Sequence, residues 1–165
     1  MSKIAGIYWD DTAAAPGISL SVYFSGCHFH CPGCHNPEAQ DFNYGKDFTW
    51  ETIQEIMAKL KKNNVMRSLS ILGGEPLATE NLAATLALVS WCKSMYPDLV
   101  IYIWTGYTIE ELEHRDEWEA VHAILKQITC LIDGRFEIDK RDTTLALRGS
   151  SNQRIIMMED YFNGK

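Results

Sequence analysis

No stretch of this sequence comes near the ~20 consecutive apolar residues that a membrane span requires. The first ten residues, Met-Ser-Lys-Ile-Ala-Gly-Ile-Tyr-Trp-Asp, lack the apolar run of a signal peptide. Basic clusters are equally scarce. No Lys/Arg run is longer than Lys61–Lys62, which gives nucleic-acid binding little support. Repeats, linkers and low-complexity segments are missing too. The five cysteines are odd in number and unevenly spread, which argues against a disulfide scaffold. These absences lead us to expect a protein of the reducing cytoplasm, with neither membrane nor nucleic acid as partner.

What is present fits one domain over residues 1–165. Hydrophobic residues make up 46% and charged residues 22%, and a chain of this length buries about two-thirds of its unfolded surface. The net charge of −7, with both signs mixed along the chain, serves solubility.

Apolar, β-branched runs alternate with helical patterns. Strands are expected at Lys3–Trp9, Ile18–Ser25, Ser68–Leu72, Leu99–Trp104, Ile128–Ile132 and Arg154–Met158. A helix is expected over Trp50–Lys62, where Ile53, Ile56, Met57 and Leu60 recur at spacings of three and four. A second runs from Glu80 to Met95 and stops before Pro97. Thr108 and Glu111 fit a capping box that opens helical pattern reaching Lys126, in one piece or two. The β-α-β-α order predicts a mostly parallel sheet with right-handed crossovers. Since a full eight-fold barrel needs roughly 250 residues, this α/β chain can form only an open or partial barrel. Ligands of parallel sheets sit at the C-terminal strand ends. Cys27, Gly73–Glu75, Thr105–Gly106 and Asp133–Gly134 all follow expected strands and should therefore share one rim.

Three cysteines stand close together in Ser25-Gly-Cys-His-Phe-His-Cys-Pro-Gly-Cys-His-Asn-Pro37. A loop rich in Gly and Pro can turn the thiols of Cys27, Cys31 and Cys34 inward. Thiolates are soft ligands that suit iron–sulfur clusters and zinc. A cubane cluster usually takes four thiolates, so three leave one iron open to a substrate. Structural zinc is the competitor, with His28, His30 or His35 as fourth ligand, although zinc ligands usually come as two separated pairs. Cys92 and Cys130 lie in apolar segments and read as small buried hydrophobes.

The spacing of Cys27, Cys31 and Cys34 after an early strand resembles the radical S-adenosylmethionine superfamily. Gly73-Gly-Glu-Pro76 resembles its glycine-rich motif. Trp104-Thr-Gly-Tyr107, Asp133-Gly-Arg-Phe136 and Arg148-Gly-Ser-Ser-Asn-Gln-Arg154 are together similar to one subgroup, the activating proteins of anaerobic, class III ribonucleoside-triphosphate reductase. Two departures are visible. Gly33 stands where the superfamily often has an aromatic residue, and Ala15-Pro16-Gly17 stands where the subgroup often has Gly-Pro-Gly.

The resemblance implies a partial β/α barrel of the radical S-adenosylmethionine type. It implies a 4Fe-4S cluster on the three cysteines, with S-adenosylmethionine chelating the fourth iron. One electron, from a donor such as flavodoxin, would cleave it to methionine and a 5′-deoxyadenosyl radical. That radical would take a hydrogen from a glycine of the large subunit of the anaerobic reductase. Gly73 and Gly74 would let backbone approach the ligand, and Glu75 would pair with its ammonium. Thr105 and Gly106 would contact ribose or methionine. Asp133, Arg148 and Asn152 would contact the ligand or the partner. Each of these has a plainer reading as well: a strand-end turn at 73–75 and at 105–106, a common Asp-Gly turn at 133, and a satisfied loop network around 148–152. Other readings of the whole are an activator of a different glycyl-radical enzyme, a radical enzyme acting on a small molecule, or a non-catalytic zinc module.

Overall fold

The computed structural model describes residues 1–164. In chain order the elements are β1 (Lys3–Asp11), β2 (Ser19–Phe24), β3 (Lys46–Asp47), α1 (Trp50–Leu60), β4 (Ser68–Gly73), α2 (Thr79–Met95), β5 (Ile101–Trp104), α3 (Ile109–Glu113), α4 (Trp118–Leu125), β6 (Cys130–Asp133), β7 (Arg154–Met157) and α5 (Met158–Asn163). All seven strands join one sheet in the order β3-β1-β2-β4-β5-β6-β7.

The body of this sheet, β2, β4, β5 and β6, is parallel, and helices connect its strands. Antiparallel strands extend it on both sides: β1 and β3 at one end, β7 at the other. The expected parallel sheet is thus present in the middle and replaced at the edges. A parallel neighbour needs a crossover of a dozen or more residues that returns the chain to the starting end, usually through a helix. Residues 134–153 contain no α-helix, just a short 3-10 turn at Ile138–Lys140 and an antiparallel bridge between Arg141 and Ser150, and the chain comes back antiparallel. Two elements lay outside the sequence reading. β3 has only two residues, and α5 carries on directly from β7.

Local chemistry accounts for the helices. Thr49 caps α1, its hydroxyl accepting from the Thr52 amide, and the stripe Ile53, Ile56, Met57, Leu60 is buried. Thr108 and Glu111 form the expected capping box of α3. The helical pattern between 108 and 126 breaks into α3 and α4 around His114–Glu117.

The two faces of the sheet differ. Leu20, Val22 and Phe24 of β2, Leu69 and Ile71 of β4, Ile101 and Ile103 of β5 and Leu131 of β6 are buried in one cluster with the apolar sides of the helices. Each such side chain contributes about 1.5–3 kcal/mol of burial. The alternate residues point the other way. Strand pairing aligns Tyr8, Ser21, Ser70, Tyr102, Cys130 and Met157 in one row across the sheet. The neighbouring row runs through Tyr23 and Leu72 to Trp104, Ile132 and Ile155. This second face carries none of the helix-packed core.

Candidate functional site

The three clustered cysteines lie in the loop that leaves β2. Its base is fastened by backbone hydrogen bonds from Gly26 N to Ala39 O at 2.7 Å and from Cys27 N to Gln40 O at 3.0 Å. The loop after β4 docks onto the same base, with Gly74 N donating to Phe24 O and Glu75 N to Gly26 O, both at 2.7 Å. Two glycines make this approach feasible. Gly73 has a φ of +114°, a conformation L side chains rarely adopt. A Cβ on Gly74 would lie 2.6 Å from the carbonyl oxygens of Ala39 and Gly26.

These loops enclose a cavity of about 600 Å³, within the ~300–1,000 Å³ usual for cofactor sites. Cys27, Cys31 and Cys34 line it. Gly73–Glu75 and Thr105–Gly106 line it too. The rim expected from the strand ends therefore exists, and it brings together eight of the eleven residues proposed for the site. Arg148 joins them from the loop before β7.

Asp133 and Asn152 do not reach the cavity wall. The Asp133 carboxylate is fully buried and takes two hydrogen bonds from Arg154, at 2.9 and 2.5 Å, and one from the Ile109 amide at 2.8 Å. It ties β6, β7 and the start of α3 together. Asn152 donates to the Arg135 carbonyl at 2.8 Å, which braces the turn after β6.

Burial decides the electrostatics. It pushes the Cys27 thiol up to about 11 and raises that of Cys31. Both thiols therefore hold their protons at neutral pH, and any metal bound by them would have to displace those protons. Glu75 is raised to about 7, chiefly by burial, against the hydrogen bonds it accepts. Those come from Leu77 N at 2.9 Å and Thr105 Oγ1 at 2.8 Å to Oε1, and from Gly106 N at 2.7 Å to Oε2. A carboxylate has about four acceptor positions, so one remains on Oε2. Arg148 makes one long contact, to Gln153 O at 3.3 Å, and its buried Nε is without a partner.

The donor set suits a cluster better than a single ion. Among the described residues, no three Cys, His, Asp or Glu side chains converge as ligands of one metal. Zinc needs its thiolates about 2.3 Å from one point, whereas an iron–sulfur cubane takes each thiolate on a different iron. Two of the histidines are engaged elsewhere: His28 contacts the Glu80 carboxylate at 3.0 Å and His30 contacts Gln40 at 3.0 Å. His35 rests against Phe136 with ring centroids 5.1 Å apart.

The sequence reading missed three residues that hold this centre. Asn81 is buried on α2, and its Nδ2 donates to Ser25 O at 2.8 Å and to Glu75 O at 3.0 Å. A polar residue at a core position of a helix was the available signal. Phe29 lies between Arg135, 4.3 Å from its ring centroid, and Tyr107, 4.7 Å away. Gln153 accepts from Gly149 N and donates to Gly134 O. No spacing pattern marks Phe29 or Gln153.

An α/β sheet with three soft thiols in one cavity at the C-terminal ends of its parallel strands defines a metal-cofactor protein. Comparison with known proteins narrows this. Residues 13–156 match the family described as a 4Fe-4S single cluster domain. An anaerobic ribonucleoside-triphosphate reductase-activating protein of Vibrio cholerae is 38% identical over 146 residues, covering 88% of this chain and 91% of that protein. Proteins of the same name from Pasteurella multocida and Salmonella typhi are each 37% identical, covering 93% and 87% of this chain and 96% and 90% of theirs. The chain belongs to the family of anaerobic ribonucleoside-triphosphate reductase-activating proteins.

Proposed function

We propose that this protein activates an anaerobic ribonucleoside-triphosphate reductase by generating a glycyl radical on its large subunit. One observation carries the reading: the three clustered cysteines and the Gly73–Glu75 turn line one cavity. Cys27, Cys31 and Cys34 would hold a 4Fe-4S cluster there, and S-adenosylmethionine would bind beside it. When bound, the pair supplies a one-electron cleavage that yields methionine and a 5′-deoxyadenosyl radical.

The chain's own residues bind and orient. Gly73 and Gly74 present bare backbone to the ligand. Glu75 keeps one acceptor position for the ligand's ammonium, while Thr105 and Gly106 hold its carboxylate in place. Arg148 offers a cation with an unpaired buried N–H to an anionic group. Asp133 and Asn152 act from behind the wall, as braces of the loops that carry Gly134 and Arg135. Phe29 and the apolar lining exclude water from the reacting centre. We assign these tasks to one domain working as a partial barrel in the cytoplasm, with an electron donor such as flavodoxin. Among the described residues, no helix is long and apolar enough to cross a membrane.

Anaerobic reconstitution tests the reading. The expected protein is brown, with about four irons per chain. With reductant it forms 5′-deoxyadenosine and leaves a glycyl signal on the reductase in electron paramagnetic resonance. A folded, colourless protein that takes up one zinc and no iron would overturn it.

A further inference from the structure

Trp104 ends β5, one residue before the Thr105 that holds Glu75. It is half-buried in the wall of the thiol cavity, and its Nε1 donates to the Leu147 carbonyl at 2.7 Å. Leu147 has a φ of +62°. Asn tolerates that left-handed conformation, whereas a bulky side chain is crowded by it. Such a residue persists only where its neighbours enforce the conformation, and ligand clamps are where this is most often seen.

The residue that follows is Arg148, and both peptide groups flanking it are fixed by side chains. Trp104 holds the carbonyl before it. Gln153 Oε1 accepts from the Gly149 amide after it at 2.8 Å, and also from Ser150 N at 3.2 Å. Gln153 is itself anchored, donating to Gly134 O at 2.9 Å. The Arg148 side chain is used far less. It lines the cavity, makes one long contact to Gln153 O at 3.3 Å, and leaves its buried Nε without a partner. The Asp142 carboxylate feels its charge but makes no ion pair with it among the described residues.

A buried donor on a charged group is costly to leave unpaired. A firmly held backbone beneath an underused guanidinium is therefore a preorganised group, ordered before any ligand arrives. Its planar fork suits a carboxylate. We propose that Trp104 is a positioning residue for ligand binding: through the Leu147 carbonyl it sets Arg148 in the cavity wall, where the guanidinium takes the carboxylate of S-adenosylmethionine. It rests on the function proposed above and adds the residue that aims the contact. The carboxylate is the ligand's anionic group, and with about four acceptor positions it can serve a guanidinium and an iron together. Glu75 at the ammonium and Arg148 at the carboxylate would then grip the two charges of the methionine end. Relaxing Leu147 to a negative φ would re-aim Arg148 and lose one of them.

Equilibrium dialysis of S-adenosylmethionine against the full-length, cluster-loaded, unreduced protein tests this without turnover. Trp104→Phe removes the indole N–H and keeps an aromatic ring. Leu147→Pro bars the positive φ and leaves the indole in place. Arg148→Gln removes the charge. Each should weaken binding about tenfold, the worth of one hydrogen bond between charged groups. Trp104→Phe added to Arg148→Gln should cost nothing more, since the two act as one unit. With reductant, KM should rise by the same factor at unchanged kcat. Wild-type affinity in both Trp104→Phe and Leu147→Pro would overturn the proposal, as would a further loss in the Trp104→Phe, Arg148→Gln pair. A lower unfolding midpoint and iron content, with unchanged affinity per loaded cluster, would make Trp104 a packing residue and overturn it too. A wild-type protein that loads its cluster yet binds no S-adenosylmethionine would fail earlier, and takes down the proposed function itself.

Discussion

Thr105 Oγ1 donates to Glu75 Oε1 at 2.8 Å, which joins the loops after β4 and β5 inside the protein. Both residues are buried, and Glu75 has no Lys or Arg within ion-pair distance among the described residues. A buried carboxyl held by neutral donors depends on every one of them.

Thr105→Val keeps the shape and removes one donor. The loss should be about 2 kcal/mol, as for a hydrogen bond to a charged group. Denaturant unfolding of the cluster-free protein measures it, with Thr105→Ser expected close to wild type. An unshifted midpoint in the valine variant would contradict the assigned role of this bond.

The cysteines should divide into two groups. Cys27→Ala, Cys31→Ala and Cys34→Ala should each abolish stable iron and sulfide incorporation and the cleavage of S-adenosylmethionine. Cys92 and Cys130 are fully buried, so Cys92→Ala and Cys130→Ala should keep the iron at a stability cost of about 1 kcal/mol. Metal analysis after anaerobic reconstitution separates the groups, and iron loss in the second group would sink the assignment.

Cluster loading should also depend on residues that touch no metal. Gly74→Ala drives a Cβ against two carbonyl oxygens and should displace the β4 loop from the cysteine loop. Asn81→Ala leaves the buried carbonyls of Ser25 and Glu75 without their donor, a loss of about 1–3 kcal/mol. We expect both variants to fold and to load iron poorly. Full iron content together with wild-type thermal stability would count against this coupling.

Arg154 gives a pH signature. Its guanidinium holds Glu110 down to about 2, below the ordinary 4.5. A depressed carboxyl binds fewer protons folded than unfolded, so stability rises with pH between about 2 and 4.5 and is flat above. Glu110 is 59% exposed, and salt should shrink the effect. Arg154→Gln should flatten this limb. At neutral pH it should also lose about 3 kcal/mol, because buried Asp133 is left without its counter-charge. Unfolding curves of both proteins across pH 2–7 provide the check; an unchanged acid limb in the variant would refute the coupling.

Much of the fold was legible in the residues because its signals are local. The stripe Ile53, Ile56, Met57, Leu60 marked α1, and Thr108 with Glu111 marked the start of α3. Strands carry the same weight of local signal, and their ends alone placed Cys27, Gly73–Glu75 and Thr105–Gly106 on one rim. Direction was harder to read. The pattern Arg154–Met158 marks a strand but not its sense, and its antiparallel pairing with β6 depends on a connection that contains no crossover helix.

By itself, then, the sequence determined which atoms are available for chemistry and which end of the sheet they occupy. Thiol type, spacing and strand order are properties of neighbouring residues. Only the tertiary structure decided which polar groups face the cavity and which hold its walls. Asp133 turned to Arg154 and Asn152 to Arg135, while Asn81 came from a helix to clamp two loops. A side chain's partner is set by whatever the completed fold brings within about 3 Å, and residues 17 to 56 positions apart leave no mark of that in the chain.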